Sequence, residues 1–110
     1  MKTQFAIHLP DGWMPYSRMF AALGDETRQK ILLIFEHDEE ICVNDIARLF
    51  NISRPAISHH LKVLRNAGLV NSEKRGKEVY YSVNREYFAN VLEVVYRTMA
   101  EQNKQGQLIN

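Results

Sequence analysis

The chain has 110 residues, 45% of them hydrophobic and 25% charged, with a formal net charge of +1. That length fits one domain with a modest core, one that self-association would help. The near-neutral total does not by itself point to nucleic acid, Cys42 as the single cysteine excludes an internal disulfide or a CxxC metal knuckle, and an apolar run such as Ile31 to Phe35 is far too short to cross a membrane.

The opening "MKTQFAIHLPDGW" is short in apolar residues and broken by Pro10. It lacks an apolar signal core and a small-residue cleavage site, so a cytoplasmic location is expected. Residues 1–15 read as an N-terminal arm, 16–102 as one continuous domain and 103–110 as a polar tail that frays. The arm carries Phe5, Ile7, Leu9 and Trp13, which suit either a pocket for an organic ligand or packing on a second copy of the chain.

The first helix is expected over Tyr16–Leu23, with Met19, Phe20 and Leu23 at helical spacing and Gly24 as its stop. Asp25 caps the second, whose core face is Ile31, Leu32, Ile34 and Phe35. A third, short helix is expected from about Val43 to Phe50, turning Ile46, Leu49 and Phe50 inward.

The stretch "NISRPAISHHLKVLRNAGLV" then gives a fourth helix, with Ser53 as cap and Pro55 tolerated in the first turn. Ile57, Leu61 and Leu64 recur at helical spacing and form its core stripe. Pro55, Ser58, His59, Lys62 and Asn66 fall opposite that stripe, with Arg54 and Arg65 at the edge and His60 beside the core. Such a face offers donors, acceptors and positive charge, which suits base edges and phosphates in a DNA major groove. Neighbouring residues of a helix point about 100° apart, so "HH" is not a metal pair.

Gly68 stops this helix by a left-handed cap. Leu69–Lys74 reads as a strand, "RGKE" as a hairpin turn on Gly76, and Val79, Tyr81 and Val83 alternate with Tyr80 and Ser82 in a returning strand. Short helix, turn, recognition helix and two-stranded wing together read as a winged helix-turn-helix: mainly α, five helices and a small β-hairpin. Charge follows the same geometry. Residues 52–77 hold Arg54, Lys62, Arg65, Lys74, Arg75 and Lys77 against the single acid Glu73, while residues 36–40, "EHDEE", hold four acids. A basic end and an acidic edge are what a DNA-binding domain shows at near-neutral total charge.

Asn84 caps a last helix that runs to about Glu101. Its apolar residues, among them Tyr87, Phe88, Val91, Leu92, Val95 and Met99, spread over roughly 200°, wider than the ~100° stripe of a surface helix. A homodimer built on this helix is expected, with Met19 and Phe20 of the first helix joining the interface. It would set two recognition helices roughly 34–36 Å apart on a near-palindromic operator in double-stranded DNA. Nothing suggests an enzyme: there is no Gly-rich phosphate loop, serine nucleophile elbow or HExxH, and no catalytic residue, cofactor or metal ligand is assigned.

The segments "LGDETRQKIL" and "EICVNDIARLFNISRPAISHHLKVLRNAGLVNSEKRGKEVYYSV" resemble the ArsR/SmtB family of bacterial winged-helix repressors, over about Met19 to Glu101. The resemblance implies a dimer that sits on an operator and lets go when an effector binds. It assigns recognition to Arg54, Ser58, His59 and Lys62, beside Ser53, Pro55 and Arg65, and a wing contact to Arg75 or Lys77. One metal site of the family uses a Cys-Val-Cys arrangement, matched here by Cys42, Val43 and Asn44; the other is matched by Arg85, Tyr87, Thr98 and Glu101. Both sites read as lost, since a soft-metal site wants two or three thiolates and most of the second set cannot ligate. Three readings of the effector stay open: an unusual metal site joining Cys42 to His37, Asp38 or His8, a redox switch at Cys42, or some other effector or none, with Cys42 merely packed.

Overall fold

The computed structural model describes residues 1–101, and the side chains of residues 1–100. The expected tail, residues 103–110, lies outside the described residues. Helix α1 spans Met14–Leu23, starting two residues before the expected Tyr16. Pro15 explains the early start, because a proline in the first turn has its φ preset and loses no helical hydrogen bond there. The arm before it contributes one 3-10 turn, Thr3–Ala6, with no buried residue.

Helix α2, Glu26–Ile34, begins as expected at Asp25, whose carboxylate accepts from the Arg28 backbone N–H at 3.0 Å. Strand β1, Ile41–Cys42, leads into α3, Val43–Phe50. Asn51 ends α3 with φ 55°, a left-handed cap that Asn tolerates better than most residues, and the chain turns directly into α4, Arg54–Asn66. Ser53 caps α4 through its hydroxyl, which accepts from Ala56 N–H at 3.3 Å.

The end of α4 is a Schellman turn. Leu69 N–H donates to Leu64 C=O at 3.0 Å and Gly68 N–H to Arg65 C=O at 2.9 Å. Gly68 has φ +81°, and a Cβ built on it would lie 2.6 Å from Tyr87 Cε2. Two requirements, a left-handed backbone and the close approach of the Tyr87 ring, therefore fix glycine there.

Strands β2, Val70–Arg75, and β3, Glu78–Val83, form the hairpin, with Gly76 at φ +62° in the first of two turn positions. The sheet has three antiparallel strands in the order β1-β3-β2, not the two expected. Ile41 pairs with Tyr81 and Cys42 with Tyr80, so β1 covers the edge of β3 that a lone hairpin would leave open. Two residues are too few for an alternating pattern to register in sequence. Helix α5, Arg85–Glu101, completes the chain.

The core draws on every helix: Met19 and Ala22, Ile31, Val43 and Ile46, Ile57, Leu61 and Leu64, and Val91, closed by Leu69, Val70 and Tyr81. Leu49, expected inward, is 66% exposed. The buried stripe of α3 is Val43, Ile46 and Ala47, with Phe50 packed at its end, and Leu49 lies off that stripe.

Candidate nucleic-acid interface

The aliphatic stripe of α4 is sunk completely, so the opposite side must face out. Arg54, Pro55, His59, Lys62 and Arg65 are exposed and Ser58 is half-buried. The two adjacent histidines part company. His59 faces solvent, whereas His60 turns inward, its Nδ1 3.3 Å from Arg28 Nη1 and 3.9 Å from Asp25 Oδ2. Arg28 also donates to the carbonyls of Ala22 at 2.7 Å and Ala21 at 3.2 Å, so this node ties the end of α1 and the start of α2 to the middle of α4. The Arg28 backbone N–H, helped by the charges of Arg28 and His60, holds the Asp25 carboxyl below its ordinary value.

The basic residues differ in how free they are. Lys62 on α4 and Lys74 and Lys77 on the wing are exposed and form no ion pair among the described residues. Arg65 reaches sideways to β2, its Nη1 donating to Ser72 Oγ at 3.3 Å. Arg75 is the most engaged. Its Nη2 lies 2.6 Å from Glu40 and 2.8 Å from Glu73, and its guanidinium carbon stands 4.9 Å from the centre of the Tyr80 ring. The Glu73 and Glu40 carboxylates, in that order, raise its pKa above the ordinary arginine value. Of the two wing residues expected at DNA, Lys77 at the tip is free and Arg75 is spent on the protein.

Arg54 has a partner that sequence reasoning missed. Its Nε donates to Asn44 Oδ1 at 2.7 Å, and Asn44 Nδ2 lies 3.4 Å from both carboxylate oxygens of Glu78. In sequence Asn44 registered only as a thiolate not present.

The expected dimer residues divide into three depths. Phe20, Leu92 and Met99 are exposed, together with Tyr96. Tyr87, Phe88 and Val95 are partly covered against the core, and Met19 and Val91 lie within it. The wide apolar arc of α5 thus serves the protomer on one side and leaves apolar surface on the other. A cavity of about 570 Å³ opens between α2 and α5, lined by Leu23, Leu32, Leu33, Phe88 and Leu92 with Gln29 and Arg85 as its polar groups. The arm residues Phe5, Ile7 and Leu9 do not line it and are exposed.

Cys42 is buried and occupies the N-cap position of α3, yet makes no side-chain capping bond. Among the described residues no group of three or more His, Cys, Asp or Glu side chains is placed to hold a metal ion. His37 instead pairs with Asp38 at 3.0 Å on the surface, and Arg85 donates to Phe35 C=O at 2.8 Å. Among the same residues no helix is long and apolar enough to cross a membrane.

A helix-turn-helix with a sheet folded beside its second helix defines a winged-helix DNA-binding regulator. The family model for bacterial regulatory proteins of the arsR family matches residues 25–72. The cadmium resistance transcriptional regulatory protein CadC homolog of Staphylococcus aureus is 37% identical over 83 residues, covering 76% of this chain and 69% of the relative. The transcriptional repressor SdpR of Bacillus subtilis is 41% identical over 68 residues, covering 62% of this chain and 74% of the relative. Among solved structures, an ArsR-like transcriptional regulator from Rhodococcus sp. RHA1 superposes with a TM-score of 0.73 at 31% identity, covering 84% of this chain and 87% of its own. The chain belongs to the ArsR family of bacterial transcriptional regulators.

Proposed function

We propose that this protein is a transcriptional repressor that acts in the cytoplasm, binds a near-palindromic operator as a homodimer through α4 and the wing, and is released by an effector that is not a metal. The observation that carries the reading is the outer face of α4. Ser58, His59 and Lys62 stand opposite the buried Ile57–Leu61–Leu64 stripe, and neither Lys62 nor Lys77 at the wing tip has an ionic partner among the described residues. Ser58 and His59 read bases, and Lys62 and Lys77 hold phosphates. Ser53, Arg54, Pro55 and Arg65 frame that surface. Phe20, Leu92, Tyr96 and Met99 supply the exposed apolar face that a second copy would cover.

Two facts support a non-metal effector. The positions that match the family's metal sites carry Asn44 beside the single thiol, and Arg85, Tyr87 and Thr98 in the last helix. Three of these are already engaged: Asn44 with Arg54, Arg85 with Phe35 C=O, and Tyr87 against Gly68. A redox switch at Cys42 is the weaker version, because a buried thiol is slow to react. Unchanged DNA release by peroxide in a Cys42→Ser variant would sink it.

The deciding experiment is fluorescence anisotropy of the purified protein, with chelator and reductant, against duplexes it enriches from a random-sequence pool. Tight binding to an enriched duplex over a scrambled one, with a steep salt dependence, is the expected result. No enrichment and a shallow salt dependence would mean that the winged surface serves a protein partner instead.

A further inference from the structure

We propose that Asn44 is a positioning residue for DNA recognition: it holds Arg54 aimed at the operator without neutralising it. The inference rests on the DNA-binding reading above. Arg54 is the first residue of α4, at the end of a recognition helix that enters the groove first. An arginine there on its own samples many rotamers, and fixing one of them costs free energy on binding. Here the side chain is already held through Nε by Asn44 Oδ1 at 2.7 Å. That bond leaves both terminal nitrogens without a protein partner among the described residues, and those two form the fork that meets a phosphate or a guanine edge.

The chemistry of residue 44 is specific. Asn44 sits between a cation and an anion, Arg54 on one side and Glu78 on the other. Its amide can satisfy both in one orientation only, oxygen to the guanidinium and nitrogen to the carboxylate. A carboxylate at 44 would make an ion pair that competes with DNA phosphate and would repel Glu78. An aliphatic side chain would leave Arg54 loose. Glu78 is the first residue of β3 and pairs with Arg75 across the hairpin, so the same amide also links the tip end of the wing to the start of the recognition helix.

A double-mutant cycle tests this on the duplex enriched by the wild-type protein. Asn44→Ala should weaken binding to that duplex about fivefold, the scale of one hydrogen bond. The same substitution made in an Arg54→Ala background should cost almost nothing more. Asn44→Asp, which keeps size and shape, should also weaken binding, and that loss too should vanish without Arg54. A purely structural role would instead lower the melting temperature and cost the same in both backgrounds. Additive losses for both Asn44 variants would overturn the proposal while leaving the DNA-binding reading intact. Failure of the wild-type protein to bind any duplex would overturn that reading, and this one with it.

Discussion

The recognition helix and the wing carry similar basic charge in sequence, yet the fold treats them differently. On α4 the stripe of Ile57, Leu61 and Leu64 is consumed by the core and Lys62 is left unpaired among the described residues. On the wing, Arg75 is clamped by Glu73, Glu40 and Tyr80, while Lys74 and Lys77 form no ion pair among the described residues. The lesson is that counting cations locates a DNA-facing end but does not say which cations can reach DNA. Arg75 fastens the hairpin to the segment before β1, and Lys77 is the residue the hairpin offers.

The largest expected effect lies at the junction of the two regions. Gly68 joins α4 to β2 with a positive φ and sits against the Tyr87 ring. Gly68→Ala adds strain in the left-handed region and an overpacked contact, and should cost about 2–4 kcal/mol of stability. Urea unfolding measures this directly. Pairing it with Tyr87→Leu should recover the packing part and leave roughly 1 kcal/mol for the backbone. A neutral Gly68→Ala would mean that the helix and the wing are not held in register through this turn.

Lys62→Ala comes next. It should weaken binding about tenfold to every duplex and flatten the salt dependence by roughly one unit of slope. His59→Ala should act differently, with a smaller loss of a few-fold on the enriched duplex and almost none on a scrambled one. Anisotropy titrations at several salt concentrations separate the two. Equal behaviour of both variants on both duplexes would remove the division of the helix face into phosphate-holding and base-reading residues.

Much of this arrangement was legible because it is local. Asp25, Ser53 and Gly68 announce helix ends by their own chemistry, and the spacing of Ile57, Leu61 and Leu64 fixes which side of α4 faces out. What escaped depends on contacts between residues distant in sequence. β1 exists because β3 presents an open edge, not because Ile41–Cys42 looks like a strand. Leu49 reads as core from hydrophobicity alone, but the i, i+3, i+4, i+7 stripe through Val43, Ile46, Ala47 and Phe50 already passes it by. Glu73 and Arg75 lie two apart on one strand face, so half of the Arg75 clamp was readable; the Glu40 half comes from 35 residues away. Asn44 gave no signal, because its partners are ten and 34 residues distant and its side chain matters only between them.

The smallest expected effect is the sharpest test of the wing. Lys77→Gln removes a free cation at the hairpin tip and should lower the salt slope by roughly one unit with a modest loss of affinity. Arg75→Gln removes a cation already surrounded by two carboxylates, so it should leave the slope nearly unchanged. It should instead release Glu73 and Glu40 and loosen the hairpin, seen as faster amide exchange across the β2–β3 pairs near Arg75 and Glu78. The formal charge change is the same in both variants, so overall electrostatics cannot produce the difference. If Arg75→Gln flattened the slope as much as Lys77→Gln, the clamp would have to open on DNA, and the wing would present Arg75 by breaking its bonds to Glu40 and Glu73.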